Sequence, residues 1–93
     1  MSGTQLPIIN VPNTAPAYLL GTVSGKHKIQ LRVLNTNVTL RFGSDRWQIE
    51  ILGAGFPITS TDGLIEMEWE DEQVWAMGLA SNPAQPQVMF GIN

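Results

Sequence analysis

The chain has 93 residues and a mass of 10.2 kDa, a length that fills one hydrophobic core and excludes a second catalytic domain. Hydrophobic residues make up 43% and charged residues 14%, with 9 Gly and 6 Pro, a turn-rich globular composition that excludes disorder of the whole chain. Absence of cysteine excludes disulfides, thiolate metal sites and thiol catalysis, and a net charge of −3 points to no polyanionic partner.

Residues 1–16, MSGTQLPIINVPNTAP, carry Pro7, Pro12 and Pro16, each of which removes a backbone donor and biases its predecessor toward extended geometry. They read as an extended N-terminal arm, with a weak strand signal from Gln5 to Val11, ahead of a single β-sandwich domain over 17–93. No apolar run is long enough for a helical membrane span, and no basic stretch precedes an apolar one. A soluble chain made in the cytoplasm without a leader is expected.

After a plausible strand over 17–23, the pattern alternates with period two. Ile29, Leu31 and Val33 alternate with Gln30 and Arg32; Val38, Leu40 and Phe42 with Thr39 and Arg41; Trp47, Ile49 and Ile51 with Gln48 and Glu50. Ile65, Met67 and Trp69 then alternate with Glu66, Glu68 and Glu70, followed by a Trp75, Met77, Leu79 face and a Val88, Phe90, Ile92 face. Turn residues such as Ser24-Gly25, Gly43-Ser44-Asp45, Thr61-Asp62-Gly63 and Asp71-Glu72 separate these runs. No stretch offers a capped helical period, so no substantial helix is expected. The fold class is all-β: an antiparallel β-sandwich or jelly-roll-like barrel of about 6–8 short strands.

Charge is unevenly placed along this pattern. All 5 Lys and Arg residues lie between Lys26 and Arg46, and every acid except Asp45 lies between Glu50 and Glu72. Residues 1–25 and 73–93 carry no charged side chain. Solvated surfaces of small domains are usually about a quarter to a third charged, so these ends point to surface that meets another protein. Arg32 and Arg41 are placed to pair with Glu50, Glu66, Glu68 or Glu70, within one chain or between subunits.

No reaction chemistry is legible. His27 is the single histidine, between Lys26 and Lys28, without a second soft ligand to share a metal. Glu66, Glu68 and Glu70 on one strand face stand about 7 Å apart, too far to converge on one cation; Glu70, Asp71 and Glu72 at the strand end are the alternative calcium ligands. Gly53-Ala54-Gly55 completes no phosphate-binding motif. The acidic segment argues against nucleic acid. Trp47, Trp69 and Trp75 suit a carbohydrate platform if exposed, but each falls in an alternating apolar set, which reads as core.

The segments Ile29-Gln30-Leu31-Arg32-Val33-Leu34-Asn35-Thr36, Val38-Thr39-Leu40-Arg41-Phe42-Gly43, Pro57-Ile58-Thr59 and Val74-Trp75-Ala76-Met77-Gly78-Leu79 resemble those of short proteins encoded by tailed bacteriophages, some of them similar to capsid decoration (cement) proteins. The resemblance spans roughly residues 26–92; the acidic Trp69–Trp75 segment and the proline-rich arm depart from it. It implies a non-enzymatic virion protein, a trimer on the outer capsid surface bridging subunits of the major capsid protein, with no cofactor, metal, nucleic acid, membrane or small-molecule substrate. Leu6, Ile8, Ile9, Val11 and Tyr18 are the expected partner-binding residues, and Arg32, Arg41, Glu66 and Glu68 the expected intersubunit charge pairs. The alternatives are a tail, connector or fibre component and, from another class, a carbohydrate-binding module.

Overall fold

Period-two segments with one apolar face are stable only when two such faces meet, and that is the arrangement adopted. The computed structural model of the protein describes residues 7–93. Eight strands form: β1 (Ile8–Asn10), β2 (Tyr18–Thr22), β3 (Lys26–Val33), β4 (Leu40–Gly43), β5 (Phe56–Ile58), β6 (Ile65–Glu70), β7 (Gln73–Gly78) and β8 (Gln87–Ile92). A short helix, α1 (Arg46–Ile51), and a single 3-10 turn at Ser60–Asp62 complete the elements.

All pairing is antiparallel, in two four-stranded sheets ordered β1-β8-β3-β6 and β2-β7-β4-β5. The order has a simple origin. Strands pair first with last, β1 with β8, β2 with β7, β3 with β6 and β4 with β5, as in one long hairpin. Rolling that hairpin up brings β8 against β3 and β7 against β4. This is the jelly-roll form of the β-sandwich.

The core lies between the sheets. Ile29, Leu31 and Val33 of β3 meet Leu40 and Phe42 of β4, Val74 and Ala76 of β7 and Val88 and Phe90 of β8, all buried. Each such large side chain contributes about 1.5–3 kcal/mol by leaving water. Trp69 of β6 closes one side against Phe42, with ring centroids 6.3 Å apart. On the other side Gly21 of β2 faces the Phe90 ring, and a Cβ there would lie 3.0 Å from it.

Residues 8–13 are packed onto the domain. Ile8–Asn10 pair with Gln87–Met89 of the same chain, and Val11, at 0% exposure, belongs to the core. The Val11 N–H donates to Pro86 O at 3.0 Å, and Gly78 N–H donates to Pro12 O at 2.8 Å. Asn13 and Asn82 bond side chain to side chain, and Asn82 also bonds both backbone polar groups of Thr39. Gly78 lies under this clamp, where a Cβ would come within 2.8 Å of the Asn82 amide.

Two expectations are corrected. Trp47, Ile49 and Ile51 lie on α1 and not on a strand. The Asp45 carboxylate accepts a hydrogen bond from Trp47 N–H at 2.9 Å, capping the helix, and Arg46 pairs with Glu50 one turn on. In β7, Trp75 and Met77 share a face as expected, but Val74 and Ala76 are the residues that turn to the main core. The face of Trp75 and Met77 is apolar because α1 covers it, with Ile49 packed on Met77 and Ala17 and Trp75 alongside.

Candidate functional site

Helix geometry decides the fate of the Trp47 segment. Residues two apart share a strand face but stand about 200° apart around a helix, so burying Ile49 turns its neighbours outward. Ile49 is 1% exposed, whereas Trp47 is 64% and Ile51 58% exposed. A residue that alternation assigns to the core therefore stands on the surface.

Trp47 forms one wall of an open groove of about 870 Å3 between α1 and the β6–β7 turn, with Asp45, Arg46 and Glu50 on one side and Asp71, Glu72, Gln73 and Trp75 on the other. The lining is held in place locally. Trp75 donates its indole N–H to the Gln73 side-chain oxygen at 3.1 Å, and the Arg46 guanidinium sits 5.6 Å from the centroid of its ring. Gly25 N–H donates to Asp71 Oδ1 at 2.6 Å and Asp71 N–H to Gly25 O at 3.1 Å, tying the β6–β7 turn to the β2–β3 turn. Asp71 holds the left-handed turn conformation there, with φ 52°.

Glu50 is the most constrained titratable group. Its carboxylate accepts from Ala17 N–H at 2.7 Å and from Arg46 Nε at 2.6 Å. The Ala17 amide and then the Arg46 hydrogen bond and charge hold its pKa below the ordinary carboxylate value, against the opposing effect of desolvation. These bonds fasten α1 to the start of β2.

The outer face of the β1-β8-β3-β6 sheet is striped. Glu66, Glu68 and Glu70 occupy the edge strand β6, and Lys26, Lys28 and Arg32 lie on β3 next to it. Lys26 Nζ stands 3.9 Å from a Glu68 oxygen, and Gln30 donates to Glu66 at 2.8 Å. Arg32 lies opposite Met89, and neither it nor Arg41 reaches a carboxylate among the described residues. Arg41 instead reaches Gly78 O at 3.4 Å on the α1 side of the other sheet. Pairing of Arg32 and Arg41 with acids of the same chain is thus not formed.

Of the residues expected to meet a partner, Ile8 is 63% and Tyr18 42% exposed. Ile9 packs against the core, Val11 is fully buried, and Leu6 lies outside the described residues. Ile8 stands on the outer sheet face opposite Met89. Tyr18 begins the edge strand β2, with exposed Leu19 after it. Sequence reasoning missed Leu19 as a surface residue and Trp47 as a groove residue. The Ser44-Asp45 pair before Trp47 and the Arg46…Glu50 spacing were the helix signals that competed with alternation.

His27 is exposed, with Nδ1 3.4 Å from Asn93 O. Among the described residues no three His, Asp or Glu side chains are grouped to hold a metal ion. A second hollow of about 520 Å3 is lined by Thr36, Thr39, Thr59, Ser60 and Thr61 with Asn37 and Val38. Comparison with protein-family models, with curated proteins and with solved structures finds no match for this chain.

Proposed function

We propose that the protein is a virion structural component that decorates a bacteriophage capsid, acting as a homo-oligomer, a trimer in the first instance, that bridges neighbouring subunits of the major capsid protein. One observation carries the reading: the two charge-free ends of the chain come together on one side of the sandwich. Pairing of first strands with last places β1 beside β8 and β2 beside β7. One lateral half of each sheet is therefore built wholly from residues without charge, and β3, β4, β5 and β6 with α1 carry the charged half.

Exposed apolar side chains stand on both halves, with Trp47, Ile51, Leu52, Phe56 and Leu64 outside the uncharged one. Ile8, Tyr18, Leu19 and Ile92 all belong to the uncharged half and are 39–63% exposed. Its two sheet edges, β1 and β2, lack the charges that guard the opposite edge at Glu66, Glu68 and Glu70. Unguarded edges with apolar side chains are suited to adding strands of another chain. Repetition over a symmetric shell multiplies weak single contacts through avidity. Jelly rolls recur in viral capsids, which supports the reading by analogy of fold.

Light scattering after size exclusion, at several concentrations, gives the first test, followed by co-sedimentation with coat-protein shells of the phage that encodes the chain. The expected result is a mass threefold that of the 10.2 kDa chain and sedimentation with the shells, both weakened by Leu19→Lys together with Ile8→Lys. A monomer at every concentration that also stays in the supernatant would overturn the reading.

A further inference from the structure

The groove beside Trp47 runs between α1 of the charged half and Gln73 and Trp75 of β7, and its chemistry differs from that of the uncharged sheet edges. We infer that this groove binds a neutral oligosaccharide, with one sugar ring stacked on the exposed Trp47 indole and its hydroxyls bonded to the polar groups of the opposite wall. The inference does not depend on the decoration role and stands if that role fails.

Size and shape come first. At about 870 Å3, the groove lies within the roughly 300–1,000 Å3 range of small-ligand sites, and it is open to solvent. An indole that is 64% exposed on the rim leaves apolar area in water that a ligand with one apolar face would cover. The C–H face of a pyranose is such a surface.

Charge then narrows the class. Asp45, Glu50, Asp71 and Glu72 face the single cation Arg46, so the groove repels phosphorylated, sulfated or carboxylated ligands. The excess of carboxylates attracts cations, but Asp45, Glu50 and Asp71 already accept hydrogen bonds from the protein. The Arg46 guanidinium already occupies the place over the Trp75 ring, which leaves a cationic ligand no free aromatic face beside Trp75. Arg46 also spends one hydrogen bond on Glu50. What remains is a lining with both donors and acceptors: the Gln73 N–H groups and the Glu72 and Asp71 oxygens on the opposite wall, and the Arg46 N–H groups beside Trp47. Hydroxyl groups donate and accept at once, so a polyol matches this mixed wall where an ammonium or a phosphate does not.

The wall is also preorganised. Asp71 is fixed by Gly25, Trp75 by Gln73 and Arg46 by Glu50, so binding orders few side chains, which lowers the entropic cost of a weak contact.

The test is titration of the full-length, 15N-labelled protein with maltohexaose, cellohexaose, chitohexaose and mannohexaose, following indole N–H signals by NMR. Sialyllactose and tetralysine serve as charged comparators. The expected result is saturable movement of the Trp47 signal by at least one neutral hexaose, with a Kd of about 1 mM or tighter. Calorimetry should show affinity falling at least about tenfold in Trp47→Ala and within a few fold of the parent in Trp47→Phe, which keeps an aromatic face. Circular dichroism of both variants confirms the fold. Lack of response to every neutral hexaose up to about 10 mM, binding undiminished in Trp47→Ala, or binding by a charged comparator alone would each overturn the inference.

Discussion

Glu50 makes two short bonds, one to the Ala17 amide ahead of β2 and one to Arg46 at the start of its own helix, and so joins two parts of the chain. A carboxylate that accepts from a backbone N–H and a guanidinium is favoured in its charged form, which lowers its pKa in the folded state. Folding then gains from its ionisation at neutral pH, and the gain is lost as pH falls through that lowered value. Replacement by glutamine keeps an oxygen for the Ala17 amide but removes the charge. Glu50→Gln should therefore melt below the parent at pH 7, and the gap should begin to narrow near the ordinary carboxyl value of about pH 4 and close only below the lowered value of the folded state. Thermal melts at stepped pH measure this directly; a gap that is constant with pH would show that shape, and not charge, is what Glu50 supplies. The roles of Glu50 and Trp47 were not legible in the sequence, because alternation gives polar and apolar assignments without stating which period, 2 or 3.6, is in force.

Helix α1 has six residues, too few to persist alone in water, where isolated helices need about 12–15. It forms because Asp45 caps it and because the outer face of the β2-β7-β4-β5 sheet, with Trp75 and Met77 turned outward, needs a cover that Ile49 supplies. Removal of the cap should loosen the element without unfolding the domain. Asp45→Ala is expected to cost about 1 kcal/mol in urea unfolding, and to raise hydrogen exchange at the N–H groups of Leu52 and Ala54, which both donate to Gln48 O. Elsewhere the strands follow the sequence closely. Alternating Ile29, Leu31 and Val33, and the Ile65, Met67 and Trp69 set, point inward as their period requires. The short β5 and the reversed faces of β7 do not: β5 contains only Phe56–Ile58, and β7 is apolar on both faces, so neither carries an alternation from which orientation could be read.

Among the described residues the first and last strands pair, and this ties the segment from Ile8 onward to stability. Removing residues 2–13 would take away β1, the buried Val11 and the Asn13 contacts with Asn82 and Ala84. A core side chain of this kind lost from a packed interior costs about 2 kcal/mol or more. The truncated chain should therefore show a clearly lower urea midpoint than the full chain, and equal midpoints would mean that the segment 7–13 is held only loosely.

Fold class, most of the strands, the turns between them and the separation of charged from uncharged segments follow from residue order alone, because each depends on neighbours within a few positions. Pairing partners, the helix in place of a strand, and the gathering of both uncharged ends on one side depend on contacts between distant residues. Val11 with Pro86 and Ala17 with Glu50 are such contacts. Their free energy exists only once the sheets have closed, so local pattern could not reveal them.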